Sequence, residues 1–340
     1  MPSQNRISVV IPCRNEEKYI EKCITSVLAS NYPKELFDVL ICDGQSTDNT
    51  REIILSRFSD FSNVHLIDNP EQTTPFALNY GIQFNNTDVV IILGAHAEVD
   101  PNYLPLCIDT LINVPEAGCV GGVLETVSQD DRTMAIALAM SSSFGVGNAY
   151  FRTGDFKGFV DTVAFGAYRR EVFSQIGLFN PILVRNQDDE FNFRLLKSGW
   201  KIYLNPEIKS KYFVRSSFNK LFIQYKQYGY WKVFVNREHS TVTTVRQLIP
   251  PIWVVYLLIG PIAFLLHFYF GSLWCLGVLM YMILSCYSAI RISKNSYQFF
   301  QIVWSFYILH LSYGIGYLDG VFDFLILRKK GGLRNTSLSR

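Results

Sequence analysis

Two long apolar tracts, residues 248–290 and 297–327, follow a stretch that reads as an ordinary α/β domain patterned for water. The order limits what this chain can become, because the tail is too apolar to be left in water. The first tract is long enough for two membrane spans of roughly 20 residues each. An uncharged Phe-Tyr-Phe-Gly-Ser turn at 268–272 is expected to divide them. Arg291 and Lys294 follow the second span. Cationic loops stay on the cytosolic side, which puts that end, and the first domain with it, in the cytosol. The second tract carries His310, Asp319, Asp323 and glycines at 314, 316 and 320, which suit lipid exposure poorly. A re-entrant or interfacial segment is the favoured reading there. A third span competes with it, but would place the basic tail, 328–340, outside.

The chain is 49% apolar, with the excess in the last hundred residues, and its net charge of +2 does not point to nucleic acid. Its seven cysteines (13, 23, 42, 107, 119, 275 and 286) form no CxxC pair. That argues against a disulfide framework or zinc site and for a reducing compartment. The Asn85 and Asn335 sequons are then chance matches. The opening MPSQNRISVVIP lacks the apolar stretch of a signal peptide.

Residues 7–12 (ISVVIP), 37–42, 64–67 and 88–93 (DVVIIL) are short β-branched runs that predict buried strands. Helical spacing predicts helices over 15–30, 47–58, 75–83 and 189–198. This alternation implies right-handed βαβ units and a mainly parallel, Rossmann-like sheet. Ligands of such sheets lie beyond the carboxyl ends of the strands, which singles out 13–17, 43–48 and 94–98. No GxGxxG follows the first strand, so a dinucleotide-binding oxidoreductase is disfavoured. A soluble first domain with two or three spans is equally unlike a transporter.

Between Lys201 and Arg246 stand nine Lys or Arg and two acidic residues, interleaved with aromatic residues. Next to a membrane tract this reads as a segment at headgroup level, residues 212–247. A solvated basic face is the plainer alternative.

PCRNEE (12–17), CDGQSTDNT (42–50), GAHAEVDP (94–101) and NQDDEFNFRLLKSGW (186–200) together resemble the family 2 glycosyltransferases of GT-A fold. The likeness is greatest to the succinoglycan-biosynthesis branch, which carries a similar membrane tail. It covers residues 5 to about 235 well and the tail loosely. It implies a GT-A domain over 1–235, then the interface segment 212–247, membrane helices over 248–327 and a basic cytosolic tail.

The resemblance assigns nucleotide binding to Pro12, Arg14, Glu16, Asp43 and Ala95. Pro12 packs beside the base, Glu16 lies near the nucleoside, and Asp43 accepts from the uracil N3–H. A turn or helix-cap role is the alternative for Asp43, although Asp48 suits a cap better. Family members usually carry Asp-x-Asp where this chain has Gly94-Ala95-His96. His96 then stands at the metal-binding position, with Glu98 on the same face of an extended strand. Imidazole ligation tilts the divalent ion from Mg²⁺ towards Mn²⁺. His96 donating to diphosphate without a protein-bound metal is the alternative, and Gly94 removes the usual ribose contact.

Counting back from Arg194 places Asp188 on the catalytic base, with Gln187 before it and Asp189 as the fallback. Asp188 would take the acceptor hydroxyl's proton. Helix N-terminal acids favoured by the dipole give the same pattern. Gln227, Tyr230 and Trp231 resemble the Gln-x-x-Arg-Trp motif of processive members, with Tyr230 in place of Arg. They are expected on the acceptor or membrane side, stacking on sugar or packing at the interface. Gly121-Gly122 and residues 165–167 are expected near the acceptor.

The resulting expectation is an inverting, membrane-anchored glycosyltransferase at the inner membrane, its catalytic domain cytosolic. Its partners are a nucleotide-sugar donor, UDP-linked, and a lipid-linked glycan or polyprenyl-phosphate acceptor. A non-catalytic sugar-nucleotide-binding scaffold of the same fold is the competing function.

Overall fold

A computed structural model describes residues 5–128, 130–147, 149–154, 156–213, 217–243 and 245–329. The chain divides into two units. Met1–Glu125 and Tyr150–Phe213 form the first, and Thr126–Ala149 with Val214–Arg340 form the second.

In the first unit, β1 (Ile7–Cys13), α1 (Ile20–Leu28), β2 (Phe37–Asp43), α2 (Thr50–Phe58), β3 (Val64–Asp68), α3 (Thr74–Phe84) and β4 (Val89–Ile92) alternate as the spacing predicts. β1 is parallel to β2 and β4, and β2 is parallel to β3. The runs are apolar throughout because helices cover both faces of such a sheet. Val9 and Ile11 pack with α1 and α4 (Tyr103–Asn113) on one face, while Val10, Leu40 and Cys42 pack with α3 on the other.

The expected parallel sheet is confined to this portion. β5 (Ala97–Val99), β6 (Ala117–Val127), β7 (Gly158–Val160), β8 (Ala164–Arg169) and β9 (Lys201–Phe213) extend it to nine strands in the order β3-β2-β1-β4-β8-β6-β9-β5, with β7 on β9. β8 is antiparallel to β4 and β6, and β9 is antiparallel to β5 and β7.

In the second unit, α5 (Asp131–Met140) and α6 (Ser143–Val146) precede the long helices; α7 (Tyr150–Thr153), α8 (Arg170–Ile176) and α9 (Gln187–Lys197) belong to the first unit. Residues 126–149 thus leave the continuous 1–235 domain expected from sequence. The apolar face of α5 explains this, since Ala135, Ile136, Ala139 and Met140 pack with Ile302, Phe306 and Leu309 of α13 (Ser296–Gly320).

α10 (Phe218–Glu238) lies so close to α13 that a Cβ on Gly316 would come within 1.9 Å of the Lys226 carbonyl, and one on Gly229 within 2.0 Å of the Tyr313 carbonyl. Small residues let backbones approach in this way. Lys226–Asp319 (2.9 Å) and Tyr230 Oη donating to Asp323 (2.9 Å) pin the contact. Lys232, Trp231 and Phe234 are buried, so part of the basic and aromatic surplus of 212–247 is internal packing.

α11 (Ile249–Leu266) and α12 (Phe268–Ile292) break at His267, whose ring accepts the Tyr269 amide. The expected divider, 268–272, is instead the first turn of α12. Val245–Leu266 and Phe268–Ile292 are long and apolar enough to cross a membrane, with only 17% and 11% of their most apolar windows buried. A soluble protein's core helices would be covered. The second tract is one unbroken helix, α13, with Gln298, Ser305 and Ser312 on its buried side, followed by a π-helical turn, Val321–Ile326.

Candidate active site

The residues singled out by sequence gather at one end of the first unit's sheet. β1 and β2 are in register to their last residues, Cys13 opposite Asp43, so the loops after them are neighbours. Asn15 fastens them: its backbone amide donates to Ser46 Oγ (2.9 Å) and its side-chain Oδ1 accepts from the Thr47 amide (2.8 Å). The Glu16 amide donates to Thr50 Oγ1 (2.8 Å). Asp48 does the capping expected of it, accepting from the Thr50 amide at 3.0 Å. Burial alone would raise its carboxyl, but hydrogen bonds from Thr50 and Glu17 outweigh this and hold it below its ordinary value.

Asp43 is fully buried and ionically paired with Arg51 at 2.8 Å. It also accepts from the Ser46 amide (3.1 Å) and hydroxyl. Arg51 reaches on to Asp68, also at 2.8 Å. The guanidinium is held further above its ordinary value, first by its hydrogen bond to Asp43 and then by Asp68. Gln45, Ser46, Arg51, Asp68 and Pro70 line a shallow pocket here. Beside it, burial and then the Asp43 carboxylate push the Cys13 thiol well up, so it stays protonated. Arg14 lies against Gly44, where a Cβ would meet its side chain at 3.4 Å. Arg51 and Asp68 were not anticipated, since nothing in their spacing marks them.

After β4 the chain turns at once, the Ala97 amide donating to the Gly94 carbonyl (3.0 Å). Ala95 is buried, and His96 stands beside Glu16, Nδ1 to Oε1 3.9 Å. The edge of the His96 ring meets Tyr212, centroids 5.0 Å apart. Residues 94, 96 and 98 alternate with buried neighbours as expected. Yet among the described residues no three of His, Cys, Asp and Glu converge as metal ligands, so Glu98 does not complete a cage with His96. Gly94 has a structural cause. A Cβ there would lie 3.0 Å from the Phe165 ring and 3.3 Å from the His96 ring. Phe165 crowds the position, so a larger residue at 94 needs that ring to shift.

Asp188 and Asp189 open α9 after Asn186, which is left-handed at φ 60°. Asp188 is exposed, and its Oδ1 accepts the Asp189 amide (2.9 Å). Glu190 and Arg194 form a two-pronged pair (2.7 and 2.9 Å), and Arg194 also donates to the Leu178 carbonyl (2.8 Å). That pair is an anchor for the helix. β9 starts at the Glu116 carbonyl (3.1 Å) and finishes with Tyr212 beside His96. α9 leads into the start of β9, and Asp188, at the other end of α9, lies near the Tyr168 side chain of β8.

Left-handed residues concentrate here too. Of the seven such non-glycine residues among those described, Asn15, Gln45 and Gln72 lie in the loops at this end, Phe165 lies in β8 against Gly94, and Asn186 precedes α9. Backbone strain of this kind collects at functional sites. Gln227, Tyr230 and Trp231 lie on α10 in the second unit, all buried, the last two packed on Phe324.

A sheet half parallel and half antiparallel, with a carboxylate after β2, a histidine after β4 and an acidic helix start beyond β8, is the arrangement of a GT-A glycosyltransferase. The chain belongs to glycosyl transferase family 2, whose model matches residues 8–177. It is 35% identical over 243 residues to the dolichyl N-acetyl-alpha-D-glucosaminyl phosphate 3-beta-D-2,3-diacetamido-2,3-dideoxy-beta-D-glucuronosyltransferase of Methanococcus voltae, covering 69% of this chain and 75% of that one. It is 29% identical over 258 residues to the succinoglycan biosynthesis protein ExoA of Rhizobium meliloti (strain 1021), covering 75% and 76%. Among solved structures, the fold resembles the mannosyltransferase PcManGT from Pyrobaculum calidifontis in complex with GDP-Man and Mn²⁺, with TM-score 0.52, 16% identity and coverage of 98% and 78%.

Proposed function

We propose that this chain is a membrane-anchored, inverting glycosyltransferase that moves one sugar from a nucleotide diphosphate to a hydroxyl of a lipid-linked acceptor in polysaccharide or glycolipid synthesis. The observation that supports this is the meeting of the Asp43 and His96 loops through Glu16 at one end of the sheet, with Asp188 at the start of α9. Asp43, kept as an acceptor by Arg51, takes an imino N–H of the base, as uracil N3–H provides. Asp188 takes the proton of the acceptor hydroxyl as its oxygen attacks the anomeric carbon. Attack opposite the departing diphosphate inverts that carbon.

His96 beside Glu16 fits a divalent ion only as one shared with the substrate. One imidazole leaves the remaining ligands to diphosphate oxygens and water, as Mg²⁺-type sites at phosphates do. Bound there, the ion supplies Lewis-acid stabilisation of the leaving diphosphate. The manganese of the Pyrobaculum enzyme supports trying Mn²⁺ first. The dolichyl phosphate in the Methanococcus relative's name supports a lipid-linked acceptor, and the succinoglycan biosynthesis protein supports a place in polysaccharide synthesis. α11 and α12 then hold the first unit at the cytosolic face of the inner membrane, where acceptor is met by search in two dimensions.

Gly94 and the missing third metal ligand favour one rival, a scaffold that binds sugar nucleotides without turnover. Detergent-solubilised protein offered a panel of UDP- and GDP-sugars, lipid extract and Mn²⁺ separates the two. Nucleoside diphosphate release that Asp188→Asn lowers by about 10²-fold or more supports the enzyme. Binding with no release for any donor supports the scaffold.

A further inference from the structure

The transfer leaves negative charge on a diphosphate, yet this chain has neither aspartate of the usual pair and offers a single imidazole. A cation stands near. α7 is a single helical turn closed by the Gly154 amide on the Tyr150 carbonyl (2.9 Å), and it presents Arg152. The guanidinium lies over the Tyr212 ring, 5.7 Å from its centroid. The other contacts of that ring include the His96 imidazole, 5.0 Å between centroids. Arg152 is thus one aromatic ring away from the position assigned to the diphosphate. Its Nη1 is buried and has no hydrogen-bond partner among the described residues. A buried donor left without a partner is destabilising, and a ligand oxygen that accepts from it removes that cost. A planar fork held on an aromatic face is suited to phosphate oxygens.

We propose that Arg152 is a catalytic residue that hydrogen-bonds the donor's diphosphate and neutralises it as it leaves. This rests on the nucleotide-sugar reading above. As the acceptor oxygen bonds to the anomeric carbon, the bond from that carbon to the diphosphate oxygen breaks. Its electron pair stays on the diphosphate facing Arg152, and the acceptor's proton passes to Asp188. With Gly94 and His96 replacing two carboxylates, less cationic charge is needed from metal.

The test is equilibrium binding of UDP, GDP, uridine, guanosine and geranyl diphosphate to the full-length protein in detergent, in EDTA and in Mn²⁺, for wild type, Arg152→Gln and Arg152→Lys. The nucleosides report the integrity of the base pocket, and so of the fold. In EDTA, Arg152→Gln is expected to weaken the nucleoside diphosphate by about tenfold or more, leave its nucleoside within about twofold, and be partly rescued by Arg152→Lys. The proposal fails if diphosphate and nucleoside weaken together, or if neither changes. A loss confined to geranyl diphosphate assigns Arg152 to an acceptor and overturns the donor role. If wild type binds no nucleotide in either buffer, the proposed function falls and takes this inference with it, whereas wild-type turnover in Arg152→Gln sinks this inference alone.

Discussion

At the residue scale, the structure turns on a buried carboxylate with a built-in counterion. Removing one partner of a buried pair leaves an uncompensated charge. Arg51→Met is expected to destabilise by about 2 kcal/mol, below the usual 3–5 because the Ser46 donors remain. Urea unfolding measures this, and an unchanged midpoint would refute it. Asp48 supplies a pH dependence. Its folded carboxyl is depressed, so its stabilisation is present above the ordinary value near 4 and is lost as pH falls through the lower folded value. The stability gap between wild type and Asp48→Ala should therefore narrow between about pH 6 and pH 2.5, and a gap independent of pH argues against the assignment. Asp43, His96 and Asp188 were legible because each ends or begins an element whose type the sequence declares. Arg51, Tyr212, Phe165 and Arg152 were not, because their importance comes from neighbours distant in the chain. The Asn85 sequon is likewise answered by contacts: its amide donates to Asp38 (2.7 Å).

At the element scale, the α10–α13 contact is specified by glycines that sequence reasoning took only as poor lipid-facing residues. The 1.9 Å that a Cβ on Gly316 would have from the Lys226 carbonyl cannot be relieved by a rotamer change, since the backbone fixes the Cβ and the carbonyl is itself backbone. Gly316→Ala should cost about 1–3 kcal/mol by forcing the helices apart. A thermal melt in detergent at wild-type temperature would show that the helices separate freely. Strand elements β1 to β4 were readable because buried parallel strands are uninterrupted apolar runs. The later antiparallel strands lack such runs, and β6 and β8 contain glycines that blur the pattern.

At the scale of the whole molecule, the exposed apolar faces of α11 and α12 decide where the protein resides. Leu258 and Leu279 are 65% and 52% exposed. An arginine at the centre of a span costs about 2.5–3.5 kcal/mol. Leu258→Arg with Leu279→Arg should move the protein from the carbonate-resistant membrane fraction towards the soluble or aggregated one, while Leu55→Arg on α2 should not. Retention of the double variant in membranes would mean another segment anchors the chain. The second unit also draws in 126–149, which no boundary signal in the sequence marks.

The sequence by itself determined the alternation of strands and helices to β4, the loops that carry the chemistry and the apolar tail, because these depend on periodicity and local residue type. Tertiary structure alone decided that half the sheet runs antiparallel, that Phe165 crowds position 94, that Arg51 guards Asp43 and that Arg152 lies one ring from His96. Those outcomes depend on which distant surfaces fill the same space, and no local pattern encodes volume shared across the chain.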